Sequence, residues 1–453
     1  MDSGVLADLA EQAVAQDGID SVTVVRNGYV VLDAVIYPFP EETAHNGYSC
    51  TKSVTGTLIG IAIDQGLLAG VDVPVVELLP DAAPDEVDEQ KAAMTVEDLL
   101  TMSSGLRCQD SYLYGWRGLI EMMESDDWAA HVLALPMLEE PGTRFEYCNG
   151  ASELLSAILS EVTGIPAAEY ADEVLFGPLG ITDYVWPANP QGISYGSHGL
   201  MLRPADMTKI GYLYLRDGWW DGERVAPASW IEAATTAQIS AGTLSDHYGY
   251  QWWVDDAGYV MALGHGGQYI IVVPDRDLVA VFTAGLPEAE FFRPEMLTVD
   301  YVVPAIVSDD SLPANPEAEA RLAAAVAAAG AEPEPQTIEL SEMTATIDGV
   351  RYEYRPNNWG WGWFEVEFRD DTAVWRGEDA EGPYELVVGL DGRFIFNDDP
   401  PFALRGAWQT DTTFVVELYV IGDADRGMIH FSFTDGLVQV VGGSMSARAD
   451  AVN

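Results

Sequence analysis

The chain has 453 residues, 48% of them hydrophobic and 13 of them Trp, which is enough for two or three domains with a sizeable core. Its formal charge of −52, from 73 acids against 21 Lys and Arg, argues against phosphate-bearing partners such as nucleic acid and anionic membranes. No stretch reaches the roughly 18 uninterrupted apolar residues of a membrane span, and the opening "MDSGVLADLAEQAV" lacks the basic and apolar parts of a signal peptide.

The acids are spread along the chain, and the bases are 18 Arg against three Lys. That pattern reads as a soluble protein adapted to salt, and it predicts a melting temperature that rises with added salt. Cys50, Cys108 and Cys148 are odd in number and show no C-x-x-C spacing, so free thiols are expected. The six His are scattered without H-E-x-x-H, and no metal site is expected.

Residues 3–16 pattern as an amphipathic helix. "SVTVVRNGYVVLDAVI" places β-branched runs on either side of Asn27-Gly28, a hairpin signal. "GYSCTKSVTGTLIGIAIDQGLL" follows, and its apolar run to Ile63 predicts a buried helix. From Gly66 to about Ser245 the pattern is mostly helical. "TVEDLLTMSSGL" carries a capping box, Thr95 with Asp98. "NGASELLSAILSEVTG" and "RPADMTKIGYLYLRDG" are further helices. Strand patterns return in "YGYQWWV", "GYVMALGHG", "QYIIVVPD" and "LVAVFTAG", with a helix near 289–306. The early hairpin and these late strands are expected to form one antiparallel sheet, with the helical middle, about 66–245, as an insertion. Residues 308–336 read as an Ala-, Glu- and Pro-rich linker with a short helix. Beyond Thr337, about eight short alternating strands predict a small antiparallel barrel or sandwich.

Three short stretches carry chemistry. Ser49 and Lys52 lie at i and i+3, on one face of a helix that starts near Ser49. There the Ser49 N–H faces an oxyanion at the positive helix end. An apolar wall around Lys52 lowers its pKa and lets the amine take the serine's proton. In "RFEYCNGASELL", Tyr147 beside a cationic lysine could turn phenolate and act as a base, and Asn149 offers an amide to the lysine or a substrate carbonyl. Taken alone, the pair is better described as a packed aromatic and an N-cap. In "LGHGGQYIIVV", Gly266 and Gly267 let backbone approach a ligand, the Gln268 N–H is a candidate second oxyanion donor, and His265 is a candidate to contact substrate or Tyr147. Alone, it is better described as a tight turn with an exposed histidine.

In this order the three stretches resemble the serine β-lactamase, penicillin-binding protein and family VIII esterase superfamily. The resemblance is nearest its class C-like branch, which includes esterases and 6-aminohexanoate-dimer hydrolases. S-x-x-K stands as "SCTK", Y-x-N as "YCN" and the third motif as "HGG". It spans about residues 3–306, and the chain beyond resembles the lipocalin-like barrels appended to some members. The resemblance implies an α/β (α+β) domain over 1–307, an antiparallel sheet flanked by helices, and a barrel over 337–453. It implies Ser49 as nucleophile with Lys52 and Tyr147 as its base system, an acyl-enzyme on a small ester or amide, and no metal or organic cofactor. His265 stands where many β-lactamases have a lysine near the substrate carboxylate, which favours an esterase or amidase. A β-lactamase or a D-Ala-D-Ala carboxypeptidase or D-aminopeptidase is the alternative with the same residues, and a binding-only protein is a third possibility that intact Ser49, Lys52 and Tyr147 argue against. The aromatics of "RCQDSYLYGWRG", Tyr112 among them, and of "YGYQWWV" would suit an apolar acyl or aryl group if they line the cleft; Trp252 and Trp253 read equally well as core. Cys50 and Cys148, each inside a motif, read as small buried packing residues rather than redox sensors.

Overall fold

The computed structural model describes residues 1–452 apart from Thr243, Asp399, Pro400, Ser444 and the side chain of Tyr112. The chain parts into two compact units, Met1–Val35 with Ala44–Ala329, and Ile36–Thr43 with Gly330–Asn453.

The first unit opens with helix α1 (Ser3–Ala15), capped by the Asp2 carboxylate. Strands β1 (Ile19–Arg26) and β2 (Tyr29–Val35) follow. Asn27 and Gly28, at φ 50° and 78°, make the tight turn between them, the left-handed pair that a two-residue hairpin requires. Helix α2 (Cys50–Asp64) comes next, with every side chain from Cys50 to Ala62 buried. That explains why its sequence shows no apolar stripe, although Thr51, Lys52, Ser53, Thr55 and Thr57 are polar. Leu58 and Ile59 have no exposed surface, and each such burial stabilises the fold by about 1.5–3 kcal/mol.

The helical middle contains α3 (Val96–Leu100), with the capping box of Thr95 and Asp98 formed. It also contains α4 (Asn149–Thr163), ended by Gly164 in the left-handed conformation, and α5 (Pro204–Leu215). The chain then returns to the sheet through β3 (Ile239–Ser240), β4 (His247–Tyr248), β5 (Trp253–Val254), β6 (Val260–Gly264), β7 (Gln268–Val273) and β8 (Leu278–Ala284). The eight-stranded order is β2-β1-β8-β7-β6-β5-β4-β3. The early hairpin therefore joins the late strands, with Val24 opposite Ala280 in antiparallel register. Every residue of β1, β6, β7 and β8 is buried. Helix α5 packs on the sheet so closely that a Cβ at Gly211 would come within 2.7 Å of Ile270 and Val279. Helix α6 (Pro316–Ala329) lies along α1.

The second unit is a closed barrel. Its strands are β9 (Arg351–Tyr354), β10 (Trp363–Phe368), β11 (Thr372–Asp379), β12 (Gly382–Gly389), β13 (Ile395–Asp398), β14 (Pro401–Trp408), β15 (Thr413–Val420), β16 (Arg426–Thr434), β17 (Leu437–Gly442) and β18 (Met445–Val452). Nine of them form a ring, with β13 added to β14, and the ring closes where Gly389 of β12 meets Arg405 of β14. Closure removes the open sheet edges that invite aggregation. The strand pattern had suggested about eight strands, missing β14 and β18. Pro and Gly interrupt "PFALRGAW", and "MSARADAV" turns small Ala residues inward where β-branched ones would have announced a strand. The interior is aromatic, built on Tyr352, Phe364, Trp375, Phe414 and Phe431.

Candidate active site

Ser49 occupies the N-cap position of α2, with Lys52 one turn on and only 1% exposed. The Lys52 amine meets three oxygens: Ser49 Oγ at 3.0 Å, Asn149 Oδ1 at 2.7 Å and the Ser197 carbonyl at 2.7 Å. Burial pulls the ammonium down to about 7, against the upward influence of Asp110, Cys50 and Glu153. A lysine so placed exists partly as the free amine near neutrality, and a free amine in contact with a hydroxyl can accept its proton.

Tyr147 and Asn149 flank Cys148 at the start of α4. The Lys52 nitrogen lies 4.9 Å from the centre of the Tyr147 ring, and the Tyr147 hydroxyl hydrogen-bonds Ser49. The phenolate expected at Tyr147 is not favoured. Burial, the largest influence, raises this phenol well above its ordinary value and outweighs the Ser49 hydrogen bond. Asn149 is the first residue of α4 rather than its cap, so its side chain is free to orient Lys52.

The expectation of three free thiols is corrected here. Cys108 and Cys148 form a disulfide with Cα atoms 5.4 Å apart, and Cys50 alone is free. The two partners are 40 residues apart in sequence, so only the folding-back of the 105–116 loop brings them together, and spacing cannot reveal that. Cys50 is buried, its thiol held protonated by desolvation, and its Sγ donates to the Gln268 carbonyl at 3.5 Å.

That contact ties the first motif to the third. Gly264, Gly266 and Gln268 belong to the turn between β6 and β7. A Cβ on Gly264 would come within 2.2 Å of the Gly47 carbonyl, so only glycine lets this turn press against the segment leading to Ser49. Gly266 and Gly267 take φ of 74° and 95°. Gln268 is buried at the head of β7, its side chain donating to the His265 and Ala284 carbonyls. His265 is exposed and meets the edge of Tyr48, ring centres 5.2 Å apart.

Ser49, Tyr147, His265 and Gly266 open onto one cavity of about 560 Å³. Its walls include Trp116, Phe145, Trp253, Phe291 and Phe292. The adjacent tryptophans divide their tasks. Trp253 stacks on Tyr147, with ring centres 6.0 Å apart, whereas Trp252 is core packed on Tyr214. Asn149, Gln268 and Gly267 stand behind the cavity wall rather than on it. Tyr112 lies in a short 3-10 turn, and its side chain falls outside the described residues.

Four groups at the site were not anticipated. Asp110 is 5% exposed and accepts the N–H of Asn149 at 2.6 Å and of Leu119 at 2.7 Å. Burial pushes its carboxyl up to about 6, against those two N–H groups and Lys52. Glu153 has no exposed surface. It accepts the Gly196 N–H at 2.8 Å and the Asn189 amide at 3.1 Å, and burial pushes it up to about 8. The Ser197 carbonyl binds Lys52, and His198, whose Nδ1 is 2.7 Å from Ser197 Oγ, is lowered to about 4 by burial and by Lys52. Glu153 follows Asn149 by one helical turn in "NGASE", a polar residue on a buried face that could have marked it.

The comparisons with known proteins agree with this geometry. The chain is 24% identical over 307 residues to the 6-aminohexanoate-dimer hydrolase of Paenarthrobacter ureafaciens, spanning 63% of this chain and 77% of that one. It is 26% identical over 215 residues to esterase EstB of Burkholderia gladioli, spanning 45% and 54%. Among solved structures, the octameric penicillin-binding protein homologue from Pyrococcus abyssi superposes over 99% of this chain and 100% of its own, with a TM-score of 0.52 at 18% identity, a likeness of fold. The family described as Beta-lactamase matches residues 6–300. That range takes in the whole sheet, α2 and every residue on the cavity wall, and the chain belongs to this beta-lactamase family, a fold shared by hydrolases.

Proposed function

We propose that the protein hydrolyses small carboxylic esters, or short amide oligomers, through an acyl-enzyme on Ser49. The observation that carries this reading is the buried Lys52 amine, titrating near 7 and bonded to Ser49 Oγ. Ser49 Oγ attacks the substrate carbonyl carbon while its proton passes to Lys52. The carbonyl oxygen becomes an oxyanion facing the Ser49 N–H at the cavity wall, with the Gln268 N–H behind that wall as the candidate second donor. Tyr147, which keeps its proton, relays one to the leaving alcohol or amine as the C–O or C–N bond breaks. Water then attacks the acyl-enzyme, giving up a proton by the same route, and Ser49 leaves with its hydrogen restored. Asn149 and the Ser197 carbonyl hold Lys52 in line. Esters are the better substrates because an alkoxide leaves more easily than an amide nitrogen.

The test is hydrolysis of p-nitrophenyl butyrate by the full chain at low and high salt, beside Ser49→Ala. Turnover by the wild type and a loss of about a thousandfold or more in the variant are expected. Covalent labelling by a fluorophosphonate at a residue other than Ser49 would contradict the assignment. A clear preference for a chromogenic cephalosporin over the ester would move the activity to β-lactams.

A further inference from the structure

The charges on the cavity wall favour one class of substrate. Arg144 is the single Lys or Arg on that wall among the described residues. It is already paired with two carboxylates. Its Nε lies 2.6 Å from Glu139 and its Nη2 3.1 Å from Glu146. Lys52 is out of reach behind Ser49, with three protein acceptors of its own. Against these, Glu288 stands on the wall exposed, with no ion-pair or hydrogen-bond partner for its carboxylate among the described residues. Beside it are Phe291 and Phe292, with ring centres 5.5 Å apart, and Trp116 and Trp253 complete an aromatic lining. Ring faces carry negative potential and attract organic cations.

We infer that the cavity selects substrates carrying an ammonium group or no charge, and turns away carboxylates, with Glu288 and the rings of Phe291, Phe292 and Trp116 as the selecting groups. This rests on the reading of the cavity as the acyl-enzyme site. An amine-bearing acyl ester places its cation between Glu288 and the rings. An ester or amide with a free carboxylate meets an unpaired glutamate and no free cation, a mismatch that costs affinity. β-Lactams and C-terminal peptides, which both carry a carboxylate, fall in the rejected class. The net charge of −52 adds a general bias in the same direction, but salt at about 1 M shortens its reach to roughly 3 Å. Selection that survives such salt therefore belongs to the cavity wall.

The test is calorimetric titration of the full chain at pH 8 in 1 M salt with benzyltrimethylammonium, benzyl alcohol and phenylacetate. The cation is expected to bind about tenfold tighter than phenylacetate. Glu288→Gln should cut the cation's advantage about threefold to fivefold, Phe292→Ala should reduce it further, and Glu288→Arg should reverse the order. Both positions are exposed, and melting curves check that each variant is folded. Equal binding of cation and carboxylate, or a cation advantage that Glu288→Gln and Glu288→Arg leave unchanged, overturns the inference. The titration reads binding alone, so it is separate from turnover. A chain that prefers the cation but does not cleave p-nitrophenyl butyrate sinks the hydrolase reading only. A chain that cleaves butyrate but binds both ions alike sinks the charge selection only.

Discussion

The two units fill their interiors in opposite ways. The first buries Asp20, Arg26, Lys52, Lys91, Asp110, Glu153 and Asp206, whereas in the barrel Asp391 is the one charged residue buried among those described. A buried charge costs several kcal/mol unless it is paired and hydrogen-bonded. The barrel avoids that cost with Phe364, Trp375, Phe414 and Phe431. The first unit meets it with fixed partners, as at Lys52, Lys91, Asp110 and Glu153. Lys91 shows the structural version: its amine donates to the Leu133 and Leu135 carbonyls, far from the cavity wall. Lys52 differs from Lys91 in that one of its three acceptors is a serine hydroxyl facing the cavity. Burial lowers both lysines. The identity of the acceptors, more than the depth of burial, separates a reactive amine from a structural one.

The comparison is broken most directly at Lys52. Lys52→Met keeps the length of the side chain and removes the amine. The expected loss in kcat/KM on p-nitrophenyl butyrate is about a thousandfold, near 4 kcal/mol in the barrier. Lys91→Met should leave kcat/KM within about threefold, because its acceptors are backbone carbonyls outside the site. Equal losses from both would erase the distinction. In the barrel the corresponding disruption is apolar. Phe364→Ala empties a fully buried position between Tyr352 and Trp375, with an expected cost of about 3–5 kcal/mol in denaturant unfolding of the barrel.

The disulfide gives a third and smaller effect in the first unit. Cys108→Ser, or reduction, frees the 40-residue loop between the partners. A loss of about 2–4 kcal/mol is expected from the less restricted unfolded chain, read as a lower melting temperature under dithiothreitol. Cys50→Ser should keep the wild type's full response to reductant, since Cys50 is the free thiol and the Cys108–Cys148 bond is untouched.

What could be read from the sequence follows the range of the interactions. The hairpin at Asn27-Gly28, the capping box at Thr95 and the Ser49–Lys52 pair are local, so a few adjacent residues specify each of them. The joining of the early hairpin to the late strands was also legible, because each run alternates and the helical pattern between them does not. Asp110, Glu153 and the Cys108–Cys148 bond depend on segments far apart in the chain. The Ser197 carbonyl belongs to the backbone, and no residue type announces it. Trp252 and Trp253 stand side by side in one aromatic run, and only the packing of Tyr214 against one and Tyr147 against the other separates core from cavity.

The smallest expected effect probes the site's electrostatics. Lys52 must be neutral to take a proton, and its folded value of about 7 lies below that of a free lysine. Activity should therefore rise about tenfold per pH unit below that value and level off above it. Asp110 titrates near 6, so it is mostly ionised at the midpoint of the Lys52 change, and its negative charge there favours the ammonium. Asp110→Asn removes that charge. The rising limb should then move to lower pH, by about half a unit to one unit, equivalent to about 1 kcal/mol. The variant also has one acceptor oxygen where the carboxylate has two, so either Asn149 or Leu119 loses its partner. A displaced Asn149 would let Lys52 drift from Ser49 and lower the plateau without moving the limb. A shift with the plateau kept assigns Asp110 an electrostatic part in setting the base, a lowered plateau without a shift assigns it the placing of Asn149, and an unchanged profile removes Asp110 from the site's chemistry altogether.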